Sequence, residues 1–200
     1  MTIDVVVSRF NEDISWTNTL RRDCRLTVYN KGDGPEPRLP NVGREAHTYL
    51  HHILTRGTGV ADWTFFSQAD PNRHMPFSLI QGIINGFPDT SFRSALHLDK
   101  GPMFFVSEPV RYVERKAQGD DKDNGCEEVW RQLFTHEPPA DILFAPAAIF
   151  AISSARLLSR SPAFYGKAME LAAARPRGPW EFERLWAYLW RDKDTPFLRL

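Results

Sequence analysis

Apolar and polar positions fall in blocks over the first 70 residues. Ile3 to Val7 is a β-branched run that ends in a polar cluster, Ser8 to Asp13, a pattern that predicts a buried strand and then a loop. Asp13 to Arg22 is expected to be helical, with Asp13 as its N-cap. Arg25 to Tyr29 reads as a second strand, stopped by Asn30-Lys31-Gly32-Asp33-Gly34, and Pro35, Pro37 and Pro40 hold the next stretch open. Asn41 is placed to cap a helix running to about Arg56, with Gly57 as the stop. Trp63 to Ser67 is a third strand, closed by Gln68-Ala69-Asp70-Pro71. The order β-α-β-α-β predicts parallel strands joined by crossovers.

Beyond residue 75 the periodicity weakens. Phe77 to Ile84 is expected to be helical, Pro102 to Val106 a strand, Gly119 to Gly125 an acidic loop and Glu127 to Phe134 a short helix. Ile149 to Ile152 is another strand. Ser161-Pro162 opens a helix through Ala174, and Pro179 opens the last one, to about Arg191. The expected fold is a single α/β domain over residues 1–200, with a mostly parallel, mixed central sheet flanked by helices. Residues 1–75, the β-α-β-α-β stretch, and 76–191 are expected to form the two halves of that domain, with 192–200 a tail.

Composition narrows the partners. Lys plus Arg and Asp plus Glu are 25 each, so no basic excess points to nucleic acid or an anionic membrane. No apolar run approaches the roughly 20 residues of a spanning helix, and the N-terminus lacks a signal-peptide pattern. Cys24 and Cys126 form no C-x-x-C pair, which favours a reducing, cytoplasmic setting. No particular oligomeric state is implied.

Candidate chemistry gathers at the strand ends. In open α/β sheets ligands sit beyond the carboxyl ends of the strands, here Ser8 to Glu12, Asn30 to Asp33 and Gln68 to Asp70. His47 and His51, four apart on a helix, can reach one metal ion, with Asp70 or His74 as a third ligand; the helix lacks the glutamate of H-E-x-x-H. The loop GDDKDNGCEE fails as a calcium loop, because Lys122 and Arg131 fall in ligand positions. There is no G-x-S-x-G, Walker A loop or G-x-G-x-x-G, and Cys126 lies in an acidic stretch that disfavours a thiolate. Glu181 and Glu183 stand in the first turn of the last helix, on opposite margins of its apolar stripe. A carboxylate there either complements the helix dipole or faces a cleft as a general base.

Five segments in order, VVVSRFNED, VYNKGD, NVGREAHTYLHHI, FFSQADP and PWEFERLW, closely resemble the domain-of-unknown-function family 3431 over nearly the whole chain. A more distant resemblance is to GT-A-type glycosyltransferases. That likeness implies a nucleotide-sugar donor, an acceptor hydroxyl of unknown identity, and Mn²⁺ or Mg²⁺ on the donor diphosphate. Arg9, Asn11, Glu12, Asn30, Lys31, Asp33 and Arg44 would belong to the donor pocket. Asp70 would lie at the diphosphate, where Gln68 replaces the first metal aspartate of the family motif. Lys31 or Arg73 would neutralise the leaving group, Glu183 (with Glu181) would supply the base, and His74 or His136 would support it. The alternatives are a metal-dependent hydrolase using His47, His51 and Asp70, and a binding module without catalysis.

Overall fold

A computed structural model describes residues 1–35, 37–95, 101, 103–106, 110–112 and 125–190. The elements run β1 (Ile3–Arg9), β2 (Cys24–Asn30), α1 (Arg44–Arg56), β3 (Trp63–Gln68), α2 (Phe77–Gly86), α3 (Thr90–Ala95), β4 (Met103–Phe105), β5 (Val110–Tyr112), α4 (Cys126–Leu133), β6 (Ile142–Phe144), β7 (Phe150–Ser153), α5 (Ser154–Leu157), α6 (Pro162–Ala174) and α7 (Gly178–Trp190). Five strands form one sheet in the order β2-β1-β3-β7-β4, and β5 pairs with β6 apart from it. β1 is parallel to both β2 and β3, whereas β7 is antiparallel to β3 and to β4. Four of the five strands therefore point the same way, and the sheet is mixed.

Both faces of this sheet are covered, which is why β1 reads as a continuous apolar run. Val6, Phe66, Phe105 and Phe150 point into a core shared with α1, α4, α6 and α7. Val5, Val7, Phe65 and Phe104 point the other way, against Trp16 and α2. The stripe expected on the last helix is fully buried, with Phe182, Leu185, Trp186, Leu189 and Trp190 at 1% exposure or less. Among the described residues no helix is long and apolar enough to cross a membrane.

Three expectations need correction. The segment Asp13 to Arg22 holds only a 3₁₀ turn, Ser15–Thr19. Its hydroxyls bond backward, Thr17 Oγ1 to Ile14 O and Thr19 Oγ1 to Trp16 O, competing with helical pairing. The Trp16 indole is drawn away to Ala69 O at 2.9 Å. Secondly, α1 begins at Arg44, three residues after Asn41, and its cap is Gly43 in the left-handed region at φ 60°. Thirdly, α3, β5, β6 and α5 are additional elements, each six residues or fewer, too short for periodicity to register. Pro102, residues 119–124, Arg191 and the 192–200 tail lie outside the described residues.

Candidate active site

The carboxyl ends of β1, β2 and β3 open into one cleft of about 360 Å³. Backbone bonds extend the parallel ladder into the loops that frame it: Lys31 N donates to Arg9 O at 2.8 Å, and Ala69 N to Ser8 O at 2.9 Å. From the β1 end come Ser8, Arg9, Phe10 and Glu12; from β2, Lys31; from β3, Gln68, Ala69 and Asp70, with Arg73 following. The start of α1 closes the fourth side through Asn41, Arg44 and Glu45. Thr48 latches that helix to β1, its Oγ1 lying 2.9 Å from Ser8 Oγ.

Most polar groups at the cleft are already engaged. Arg9 donates to Asn30 Oδ1 at 2.9 Å and to Glu12 O at 2.8 Å. The Glu12 carboxylate accepts from the amides of Phe10 and Asn11 at 2.7 and 3.1 Å. Asp70 accepts from Arg73 Nε at 3.1 Å. Lys31 Nζ donates to Val42 O at 2.6 Å and Pro40 O at 3.2 Å, and lies 3.5 Å from His47 Nδ1. Burial pushes this ammonium down to about 8.

Arg44 and Glu45 differ from these. Gly43 and Arg44 both sit at positive φ, 60° and 43°, a costly conformation for an arginine. A Cβ on Gly43 would meet His47 Cβ at 2.8 Å and Ala172 O at 2.9 Å, so the chain must turn here on a glycine. The Arg44 guanidinium rests 4.4 Å above the Trp180 ring. Among the described residues it makes no hydrogen bond or ion pair. Glu45 has no side-chain partner there either, and its carboxylate accepts its own backbone N–H. Burial pushes the Glu45 carboxyl up to about 7, and the nearby Glu183 carboxylate adds to the rise. The sequence places Glu45 on the same helix as His47 and His51, but nothing in its spacing sets it apart as a cleft residue.

The two acids of α7 have separate fates. Glu181 is 1% exposed and takes a two-pronged bond from Arg175, Nε at 2.6 Å and Nη2 at 3.0 Å. Arg175 also pairs with Glu128 at 3.0 Å, and these carboxylates hold its guanidinium charged. That geometry fastens α7 to α4, and at 1% exposure Glu181 is shut away from solvent and does not line the cleft. Glu183 Oε1 accepts from Ala147 N at 2.7 Å, while Ala147 O accepts from Gln68 Nε2 at 2.5 Å. Ala147 and Ala148 are both at positive φ, 81° and 51°. The strained pair thus bridges Glu183 to the cleft-lining Gln68, a pattern typical of functional sites.

Other candidates fall away from the cleft wall. Asn11 Oδ1 accepts from Asp33 N at 3.1 Å, locking the two loops to each other, and Asp33 is exposed. Asn30 is buried, bonding Arg9 and Pro35 O. His74 is exposed in the loop before α2, and the ring of His136 lies against Trp130 and Phe134 beyond α4. His47 and His51 stack at 6.3 Å between ring centroids. Burial and then the Lys31 charge push His47 down to about 4. Among the described residues no three His, Cys, Asp or Glu side chains converge as metal ligands.

The donor set at the β3 end is a poor fit for Mn²⁺ or Mg²⁺. It offers the Asp70 carboxylate, already paired with Arg73, and a Gln68 carboxamide whose Nε2 is turned to Ala147 O. A hard divalent cation that bridges a diphosphate draws on one or two carboxylates, and the carboxamide is the weaker of these two donors. No protein-family model matches the chain, and no curated protein matches it.

Proposed function

We propose that the protein is a glycosyltransferase, or an enzyme derived from one, which holds a nucleotide-activated sugar in the cleft at the ends of β1, β2 and β3. One observation carries this reading: the strained start of α1 presents a cation, Arg44, and a carboxyl, Glu45, neither with a side-chain hydrogen-bond partner among the described residues, on the wall of a cleft framed by three parallel strand ends. A fixed cation neutralises a leaving diphosphate, and a carboxylate accepts a hydroxyl proton, the two demands of sugar transfer. The Lys31 ammonium adds positive charge on the same wall. With the donor set at Asp70 weak for a divalent ion, the reading assigns charge neutralisation to these side chains.

The test is thermal stability against UDP-, GDP-, CMP- and dTDP-linked sugars, each with Mn²⁺ and again with chelator. A donor at about 100 times its dissociation constant adds roughly 2.7 kcal/mol, a rise of about 5–10 °C for a chain of this size. One nucleotide class is expected to stand out, with the shift preserved in chelator. No shift with any donor would remove the transferase reading. A large fall in stability with chelator alone would favour a metal hydrolase built on the histidine helix.

A further inference from the structure

Among the described residues three carboxylates, Glu12, Glu45 and Asp70, line the cleft. With the two acids of α7 that makes five candidates, and four of them are occupied. Glu12 is held by two backbone amides, Asp70 by Arg73, Glu181 by Arg175 and Glu183 by the amide of Ala147. Glu45 lines the cleft and has no side-chain partner among the described residues. We propose that Glu45, and not either acid of α7, is the catalytic base that takes the proton from the acceptor hydroxyl, with Glu183 as a positioning residue behind it. This inference rests on the transferase reading.

In the step that follows, a lone pair of the acceptor oxygen forms the new bond to the anomeric carbon of the donor sugar. The bond from that carbon to the β-phosphate oxygen breaks, and its electron pair leaves on the nucleoside diphosphate. The acceptor proton passes to the Glu45 carboxylate. Arg44, the adjacent residue, stands on the same wall to meet the charge that develops on the phosphate.

The surroundings of Glu45 suit a proton acceptor near neutral pH. Glu183 from α7 repels its charged form, while Arg44 beside it and Lys31 from the β2 loop favour that form. Tyr49, one turn along α1, is fully buried, and its hydroxyl donates to Ala148 O at 3.2 Å. Glu183 in turn is oriented by the strained Ala147 amide, so its charge is fixed in place relative to Glu45.

The experiment uses the full chain and whichever diphosphate-linked donor (UDP, GDP or dTDP) raises its melting temperature. Release of nucleoside diphosphate is followed with water and with simple methyl glycosides as acceptors. Glu45→Gln is expected to keep the donor-induced shift, which reports folding and binding, and to lose turnover by about 100-fold or more. Glu45→Asp is expected to recover part of it. Glu183→Gln is expected to lose part of turnover, less than Glu45→Gln does, and to move the acidic limb of the pH profile to lower pH, because one repelling charge is gone. Turnover of Glu45→Gln close to wild type, or loss only in Glu183→Gln, overturns the assignment while leaving the donor site standing. Donor binding with no release of nucleoside diphosphate by the wild type overturns it as well. If no donor shifts the melting temperature, the transferase reading itself fails and Glu45 falls with it.

Discussion

Truncating Trp186 to alanine is expected to lower the unfolding free energy by about 4 kcal/mol, the usual range for emptying a buried tryptophan site. Its side chain is fully buried where α7 meets the sheet. The ring lies 5.4 Å from Phe150, 5.7 Å from Tyr49 and 5.7 Å from Phe182, and stacks on Trp190 at 5.7 Å with 6° between planes. The cavity would sit between β7 and both helices, and close packing leaves little room for collapse. The conservative variant separates packing from polarity. Among the described residues Trp186 Nε1 has no hydrogen-bond partner, whereas Trp190 Nε1 donates to Tyr165 Oη at 2.6 Å, which donates on to Leu157 O at 2.5 Å. Trp186→Phe should therefore cost less than Trp190→Phe in chemical denaturation, since only the second deprives the buried Tyr165 hydroxyl oxygen of the N–H it accepts. Equal losses would show that ring volume alone decides.

Two buried groups, Asp4 and His47, are expected to cost the protein stability in acid over separate pH ranges. Asp4, 1% exposed in β1, accepts from Arg25 Nη2 at 2.6 Å and from Arg25 Nε, with His52 Nε2 at 3.8 Å and Arg56 Nε at 3.9 Å. Burial raises the carboxyl, but the pull of His52 and Arg25 outweighs it and brings Asp4 down to about 2. A carboxyl lowered on folding stabilises the fold above its unfolded value of 3.8 and loses that contribution as pH falls toward 2. The loss is about 2 kcal/mol. His47, lowered from 6.5 to about 4, is buried neutral, so its contribution is complete above pH 6.5 and is lost as pH falls through 4. Between pH 6.5 and 4 the His47 loss is opposed by Glu45, whose carboxyl, raised from 4.5 to about 7, takes up its proton earlier in the folded protein. Urea titrations at stepped pH should therefore show a first decline over that window that is steeper in Glu45→Gln, and a second from 4 to 2 in both proteins. In Asp4→Asn the second should shrink and the neutral-pH stability should fall, because Arg25 loses the negative charge it pairs with. An unchanged second stage would show that Asp4 is not the group responsible.

Much of the frame was legible before any coordinates. Val5 to Val7 and Phe65-Phe66 are apolar at every position because layers cover both sheet faces, and that continuity marks β1 and β3. The start of α6 was legible from Ser161-Pro162, and Ser161 Oγ does accept from Phe164 N at 3.2 Å. The polar strand ends, read as a convergence, do frame a single cleft. What stayed hidden depends on contacts between distant segments. That β7 runs against its neighbours follows from the path after β4, not from its own residues. Glu181 and Glu183 are equivalent by spacing; only the return of Arg175 from beyond α6 separates them. Glu45 reads as a helix-dipole acid until Glu183, 138 positions later, is brought beside it. The left-handed start at Gly43-Arg44 displaced the cap expected at Asn41, because a polar side chain two residues early looked sufficient.

The central claim, that an activated nucleotide is held at the start of α1, is tested most directly by calorimetric titration of UDP, GDP, CDP and dTDP into the wild-type protein and Arg44→Glu. The account predicts that one of these binds the wild type and that charge reversal weakens it by about 10- to 100-fold, the worth of one or two charged hydrogen bonds. Equal affinity for both proteins, or heat from neither with any nucleotide, would contradict it.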